Sequence, residues 1–163
     1  MDIEVRDVGV IVEWKDLKPG DLFVQRAAGR SLLSLRVITD GEQSDLILSL
    51  AGAPIEGVNE LPVRLAQLAL SSGPYERLDY QVICRPRTLF QPALEVSQGS
   101  LVVDSDGPLI AYGKKQFGHT FVTFYDLATG KAREAAKGAP FYPLWDLLRV
   151  DDKGDERVLV GFG

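Results

Sequence analysis

The chain is poor in the side chains that do most catalytic work. It has one cysteine, Cys84, one histidine, His119, one methionine and one asparagine, Asn59. A lone cysteine excludes an intramolecular disulfide, and a lone histidine excludes a multi-histidine zinc site within one chain. Any Ser-His-Asp or Cys-His mechanism would have to use His119. No phosphate loop occurs, neither G-x-x-x-x-G-K-S/T nor G-x-G-x-x-G. No apolar run approaches the ~18 residues of a membrane-spanning helix. The opening Met1-Asp2-Ile3-Glu4-Val5-Arg6 lacks the basic and then apolar segments of a secretory signal, so a cytoplasmic location is expected. Scarce asparagine, and arginine in excess of lysine, are the bias of a GC-rich bacterial genome.

Acid exceeds base, giving a net charge of -5. Affinity for duplex nucleic acid comes mainly from neutralising phosphates with Lys and Arg, so this balance argues against non-specific duplex binding. Anionic membrane surfaces and acidic substrates are disfavoured for the same reason.

What remains is an ordinary globular composition: 163 residues, 45% apolar and 25% charged. A chain of this length buries about 70% of the surface its unfolded form exposes, enough for a core without metal or disulfide. The dominant pattern is alternation. Val8, Val10, Val12 and Trp14 alternate with Gly9, Ile11 and Glu13, and Leu78, Tyr80, Val82 and Cys84 alternate with Asp79, Gln81, Ile83 and Arg85. A period of two marks a half-buried strand. Leu32–Thr39 is β-rich and ends in Asp40-Gly41, a strong hairpin signal, before the return run Leu46–Leu50. Leu101-Val102-Val103 and Leu109–Tyr112 flank the turn Asp104-Ser105-Asp106-Gly107. Phe121–Tyr125, Leu147–Val150 and Val158–Val160 continue the series. Short strands at this spacing predict a mainly β fold, a small barrel or a sandwich.

One short helix is expected around residues 59–70. Asn59 caps it, Pro62 lies in its first turn, and Leu61, Leu65, Leu68 and Ala69 share a face. Phe141, Leu144, Trp145 and Leu148 have similar spacing, although a strand fits them nearly as well.

A faint internal repeat suggests two related β-units, residues 1–75 and 76–163, which either stand apart or pack as a single domain. Gly20-Asp21-Leu22-Phe23-Val24 resembles Gly99-Ser100-Leu101-Val102-Val103, Ile38–Glu42 resembles Leu127–Lys131, and Gly52-Ala53-Pro54 resembles Gly138-Ala139-Pro140. The offsets run from about 79 to 89 residues. Turn residues carry most of these matches, and any hairpin asks for them.

The reactive residues each have a simpler structural role. His119 precedes a strand and shares a face with Phe121, Thr123 and Tyr125, as a hydrogen-bonded or surface histidine would. Cys84 lies on the apolar face of its strand, where a thiol packs as a small hydrophobe, and alternation puts Arg85 on the other face. Asp104-Ser105-Asp106-Gly107 begins like a calcium loop, but Lys115 stands where the twelfth-position Glu is needed. Asp151, Asp152 and Asp155 read as a solvated turn. Neither a metal nor a cofactor is expected.

Gly113-Lys114-Lys115-Gln116-Phe117-Gly118-His119 is the one basic, aromatic, glycine-flanked stretch. Read as a loop, it makes Lys114, Lys115, Phe117 and His119 the candidate contact residues, toward a protein partner or toward single-stranded nucleic acid held by charge and stacking.

Leu17-Lys18-Pro19-Gly20-Asp21-Leu22-Phe23-Val24 resembles the L-x-P-G-D turn found in many small β-barrels, including SH3-like and signal-peptidase-like folds. The resemblance implies a barrel turn and carries no functional residues, because the Ser and Lys of the peptidases have no counterpart here. The expectation is a non-catalytic interaction or structural module whose partner is another protein. The alternatives are a small-molecule-binding barrel or unusual enzyme, and a single-strand nucleic-acid binder using the Lys114–His119 stretch.

Overall fold

A computed structural model describes residues 10–27, 30–51, 64–66, 75–79, 81–87, 99–116 and 119–162. The chain is mainly β. Among the described residues there are thirteen strands and one short 3-10 turn, Trp14–Asp16. Strands β1 (Val10–Val12), β2 (Leu22–Ala27), β3 (Arg30–Thr39), β4 (Glu42–Ala51), β5 (Arg64–Ala66) and β6 (Tyr75–Arg77) form a six-stranded sheet in the order β1-β6-β2-β3-β4-β5. Strands β8 (Leu101–Asp104), β9 (Gly107–Gln116), β10 (His119–Asp126) and β11 (Phe141–Tyr142) form a second sheet in the order β10-β9-β8-β11. Strands β7 (Gln81–Pro86), β12 (Trp145–Val150) and β13 (Glu156–Phe162) form a third in the order β13-β12-β7. Every pairing between these strands is antiparallel.

Three sequence expectations need correction. Among the described residues none of the three sheets closes into a barrel, so the L-x-P-G-D resemblance holds for the turn alone. There, Pro19 precedes Gly20 at φ 95, and the Asp21 N–H donates to the Lys18 carbonyl at 2.9 Å. This is the turn type that wants proline and then a residue with positive φ.

The helix expected around 59–70 is replaced over Arg64–Ala66 by a strand, whose residues pair with Ile47, Leu46 and Asp45; residues 59–63 and 67–70 lie outside the described residues. A helix of about three turns is marginal by itself, whereas the open edge of β4 offers backbone partners at once. Trp14 does not extend the first strand, because the chain turns at Trp14–Asp16.

The hairpins follow their turn chemistry. Thr39 pairs with Glu42 across Asp40-Gly41, and both turn residues have positive φ, 49 and 83. That combination matches the right-handed strand twist and explains why Asp-Gly stands there. Asp104 pairs with Gly107 across Ser105-Asp106.

The strand order β6-β2-β3-β4 recurs as β11-β8-β9-β10, and the registers of the two meanders agree. Val24 pairs with Leu33 as Leu101 pairs with Ile110, and Leu35 pairs with Leu46 as Tyr112 pairs with Thr123. Each partner lies one constant step of 77 residues further along (Val24 to Leu101, Leu46 to Thr123). The turn matches, offset by about 79 to 89 residues, do not fall on this step. Ile38 is not the counterpart of Leu127; it forms a parallel bridge with Lys131.

One core is shared by all three sheets. It joins Leu22, Leu35 and Leu46 to Ile110 and Tyr125, and to Trp145, Leu147 and Val160. Each such buried side chain contributes roughly 1.5–3 kcal/mol through removal from water. The indole N–H of fully buried Trp145 donates to the Gly99 carbonyl at 2.8 Å, which leaves no orphaned donor there. A smaller cluster of Leu17, Phe23 and Tyr75 is supported by Val12.

Candidate functional site

The three sheets meet around a cavity of about 460 Å³. Leu22 of β2 lines it from the first sheet, Val82 and Cys84 of β7 with Leu147 of β12 from the third, and Val103 of β8 from the second. Leu127 and Ala128 form part of its rim. Apart from the thiol, these side chains are aliphatic. Leu147 and Cys84 are ladder partners, which fixes the thiol beside the core. Burial pushes the Cys84 thiol up to about 12, so it stays protonated at neutral pH. A neutral thiol in an apolar wall is a packing group and not a nucleophile.

The ionisable groups that sequence reasoning did not single out are engaged with one another. Arg36 is 1% exposed and faces away from its strand neighbours Leu35 and Val37. Its Nε donates to Asp45 Oδ1 at 2.7 Å and its Nη1 to Gln43 Oε1 at 3.3 Å. Its guanidinium carbon lies 4.1 Å from the ring centroid of Trp14 and 5.7 Å from that of Phe23. Burial raises the Asp45 pKa and outweighs the opposing pull of the Arg36 charge and hydrogen bond. Burial, and then the Asp45 charge, raise the neighbouring Tyr75 hydroxyl. The pairing of Arg36 with Asp45 across β3 and β4 follows from the register. In sequence, an arginine between Leu35 and Val37, and its distance from the Asp40-Gly41 turn, are the signals that point to it.

The second engaged group is centred on Arg133. Its Nη1 and Nη2 meet the two Asp104 oxygens at 2.7 and 2.9 Å, and its Nε meets Asp126 Oδ2 at 3.0 Å. Asp126 Oδ1 also accepts the N–H groups of Ala128 and Thr129, at 2.8 and 3.1 Å. The Arg133 hydrogen bond, followed by the Ala136 N–H, holds Asp104 well below the usual carboxylate range. For Asp126, burial pushes upward, but the bonds from Arg133, Thr129 and Ala128 prevail and keep it low. The arrangement is a clamp that folds residues 131–136 onto β8 and β10. It leaves neither carboxylate free to act as a base.

The acidic residues read as turns behave as turns. Asp104 Oδ1 accepts the Asp106 N–H at 3.0 Å, and Asp151 Oδ1 accepts the N–H groups of Lys153 and Asp155 at 2.8 and 2.9 Å. Among the described residues, no three His, Cys, Asp or Glu side chains converge as a metal site would require.

The stretch read as a loop over 113–119 is mostly strand. Lys114 and Lys115 belong to β9 and His119 opens β10; Lys114 pairs with Phe121, Lys115 with Thr120 and Gln116 with His119. Phe117 lies outside the described residues. The ladder extends nearly to the tip because each added pair satisfies backbone groups that a loop would leave to water. His119 and Cys84 lie in different sheets.

Comparison with protein-family models, curated proteins and solved structures finds no match for this chain. Among the described residues, no helix is long and apolar enough to cross a membrane.

Proposed function

We propose that the chain is a non-catalytic binding module whose cavity between the three sheets takes a small neutral apolar ligand, aliphatic or aromatic. The observation that carries this reading is the wall itself: about 460 Å³ bounded by aliphatic side chains and a protonated thiol. That volume is within the range of small-molecule sites, roughly 300–1,000 Å³. An apolar wall rewards burial of apolar surface and penalises an unpaired polar group. The ionisable clusters around Arg36 and Arg133 support the same reading, since their charges are spent on each other.

The test is a thermal-shift titration with a graded series of alkanols and substituted benzenes. A ligand that binds only the folded chain raises the melting temperature by mass action. The rise should grow with apolar size up to the cavity volume. It should disappear in Ala128→Phe, which fills the rim from an exposed position. A series with no member that raises the melting temperature would refute the proposal.

A further inference from the structure

In the first meander the outer edge of β4 is covered by the chain itself, because β5 pairs with Asp45, Leu46 and Ile47. One repeat step of 77 residues carries those three positions to Val122, Thr123 and Phe124 of β10. Here, among the described residues, the covering strand shrinks to a single bridge and one further bond. Ala132 bridges Tyr125, and the Arg133 N–H donates to the Phe124 carbonyl at 3.0 Å. The chain then turns away, drawn toward Asp104 by the Arg133 side chain and by the Ala136 N–H, which donates to Asp104 Oδ2 at 3.1 Å. The divergence leaves an open groove of about 530 Å³ between Val122–Phe124 and residues 132–135.

The edge beside this groove is aimed to accept a strand. The bonds from Arg133 N to Phe124 O, and from Asp126 N to Lys131 O, show that the even-numbered residues of β10 direct their backbone groups outward. An antiparallel ladder repeats every second residue, so the N–H and C=O of Val122 point the same way. Among the described residues nothing pairs with them. The Val122 side chain is 36% exposed. We infer that β10 receives an extended segment of a partner protein, added antiparallel at Val122, with a basic residue set among apolar ones.

The chemistry of the occupant follows from two features. The position is filled in the first meander by Arg64-Leu65-Ala66, one basic and two apolar residues. In the groove, the Arg133 charge is consumed by Asp104 and Asp126, whereas Glu134 is exposed and makes no ion pair among the described residues. An acidic groove on a chain of net charge -5 selects a basic strand. Main-chain pairing supplies affinity, and alternate side chains supply specificity.

The probe is a fluorescein-labelled peptide of residues 62–68, Pro-Val-Arg-Leu-Ala-Gln-Leu, titrated with the full chain and followed by anisotropy. Saturable binding is expected. Val122→Pro removes the outward N–H at an edge where proline is tolerated, and should weaken binding at least tenfold while the circular dichroism melt persists. Glu134→Lys should weaken it as well. A set of peptides N-methylated one residue at a time, tested on the unaltered chain, should lose and keep binding at alternate positions. That set decides the matter even if Val122→Pro unfolds. The inference is overturned by absent binding, by equal affinity across the N-methyl set, or by a folded Val122→Pro that binds as before. It is also overturned if sedimentation shows a dimer that Val122→Pro abolishes, because the edge would then belong to a second copy.

Discussion

Gly20 and Gly130 meet backbone to backbone: a Cβ built on Gly130 would stand 2.3 Å from the Gly20 nitrogen and 2.3 Å from the Arg36 carbonyl oxygen. The approach brings the turn before β2 against the turn after β10. Around it, the Gly20 N–H donates to the Arg36 carbonyl at 2.8 Å and the Ile38 N–H to the Gly130 carbonyl at 2.8 Å. The Ala132 N–H returns to the Ile38 carbonyl at 3.1 Å. The second meander is thus joined to the first sheet through main-chain bonds that only two glycines leave room for.

Gly130→Ala should therefore cost about 3 kcal/mol or more, since backbone and not a flexible side chain lies in the way. Gly41 has a similar φ, 83, but a Cβ there meets nothing within 4 Å. Gly41→Ala should cost only the left-handed strain, about 1–2 kcal/mol. Urea unfolding of the two variants measures the contrast, and equal losses would show that the glycine contact does not hold the halves together.

The Asp104–Arg133 clamp makes a pH-dependent contribution with a definite sign. Arg133 depresses the folded pKa of Asp104. The contribution is therefore present above the unfolded carboxylate value, near 4, and is lost as pH falls through the lower folded value. Asp104→Asn should melt below the unaltered chain at pH 7, and the gap should narrow as the pH is lowered from about 5 toward 2. Melting curves across that range test it; a gap that stays constant would mean that the carboxylate charge is not what matters.

Period-two alternation and turn chemistry made most of the strands legible, because both act within a few residues. Asp40-Gly41 is the clearest case, since its positive φ values are a local demand that the sequence answers locally. Strand β5 was not legible. Leu61, Leu65, Leu68 and Ala69 are spaced for a helix, and only the distant edge of β4 turns Arg64–Ala66 into a strand. The repeat lies in ladder register, which one sequence does not display, while turn residues recur for their own reasons. Arg133 and Asp104 lie 29 positions apart, so their engagement becomes visible only in three dimensions, whereas Arg36 and Asp45 face each other across the local Asp40-Gly41 hairpin. The cavity likewise depends on three sheets meeting; alternation puts Cys84 on the apolar face of its strand and says nothing of the space beside it.

Arg36 and Asp45 should behave as a buried pair. Removing one partner leaves the other charge without compensation, so Asp45→Ala should cost about 3–5 kcal/mol. Replacing both, with Arg36→Met and Asp45→Leu, should recover much of that loss, because apolar side chains need no partner in the same space. A double-mutant cycle by denaturant unfolding gives the coupling directly. Additive losses would mean that the 2.7 Å contact carries no coupling energy.

Cys84 offers a direct measure of the cavity environment. Burial raises its thiol to about 12 from a reference of 9.0. At pH 8 the reactive thiolate should then be on the order of 1,000-fold scarcer than for a free cysteine. Alkylation by iodoacetamide should be slow by a similar factor and should climb with pH as far as the fold survives. Unfolding in urea should restore the ordinary rate, which separates the influence of the site from that of the residue. A ligand seated in the cavity should slow the reaction further, because it covers the sulfur as well as its apolar surroundings. Fast alkylation of the folded chain near pH 8 would show an ionised, solvent-reached thiol and would remove the neutral wall on which apolar binding depends.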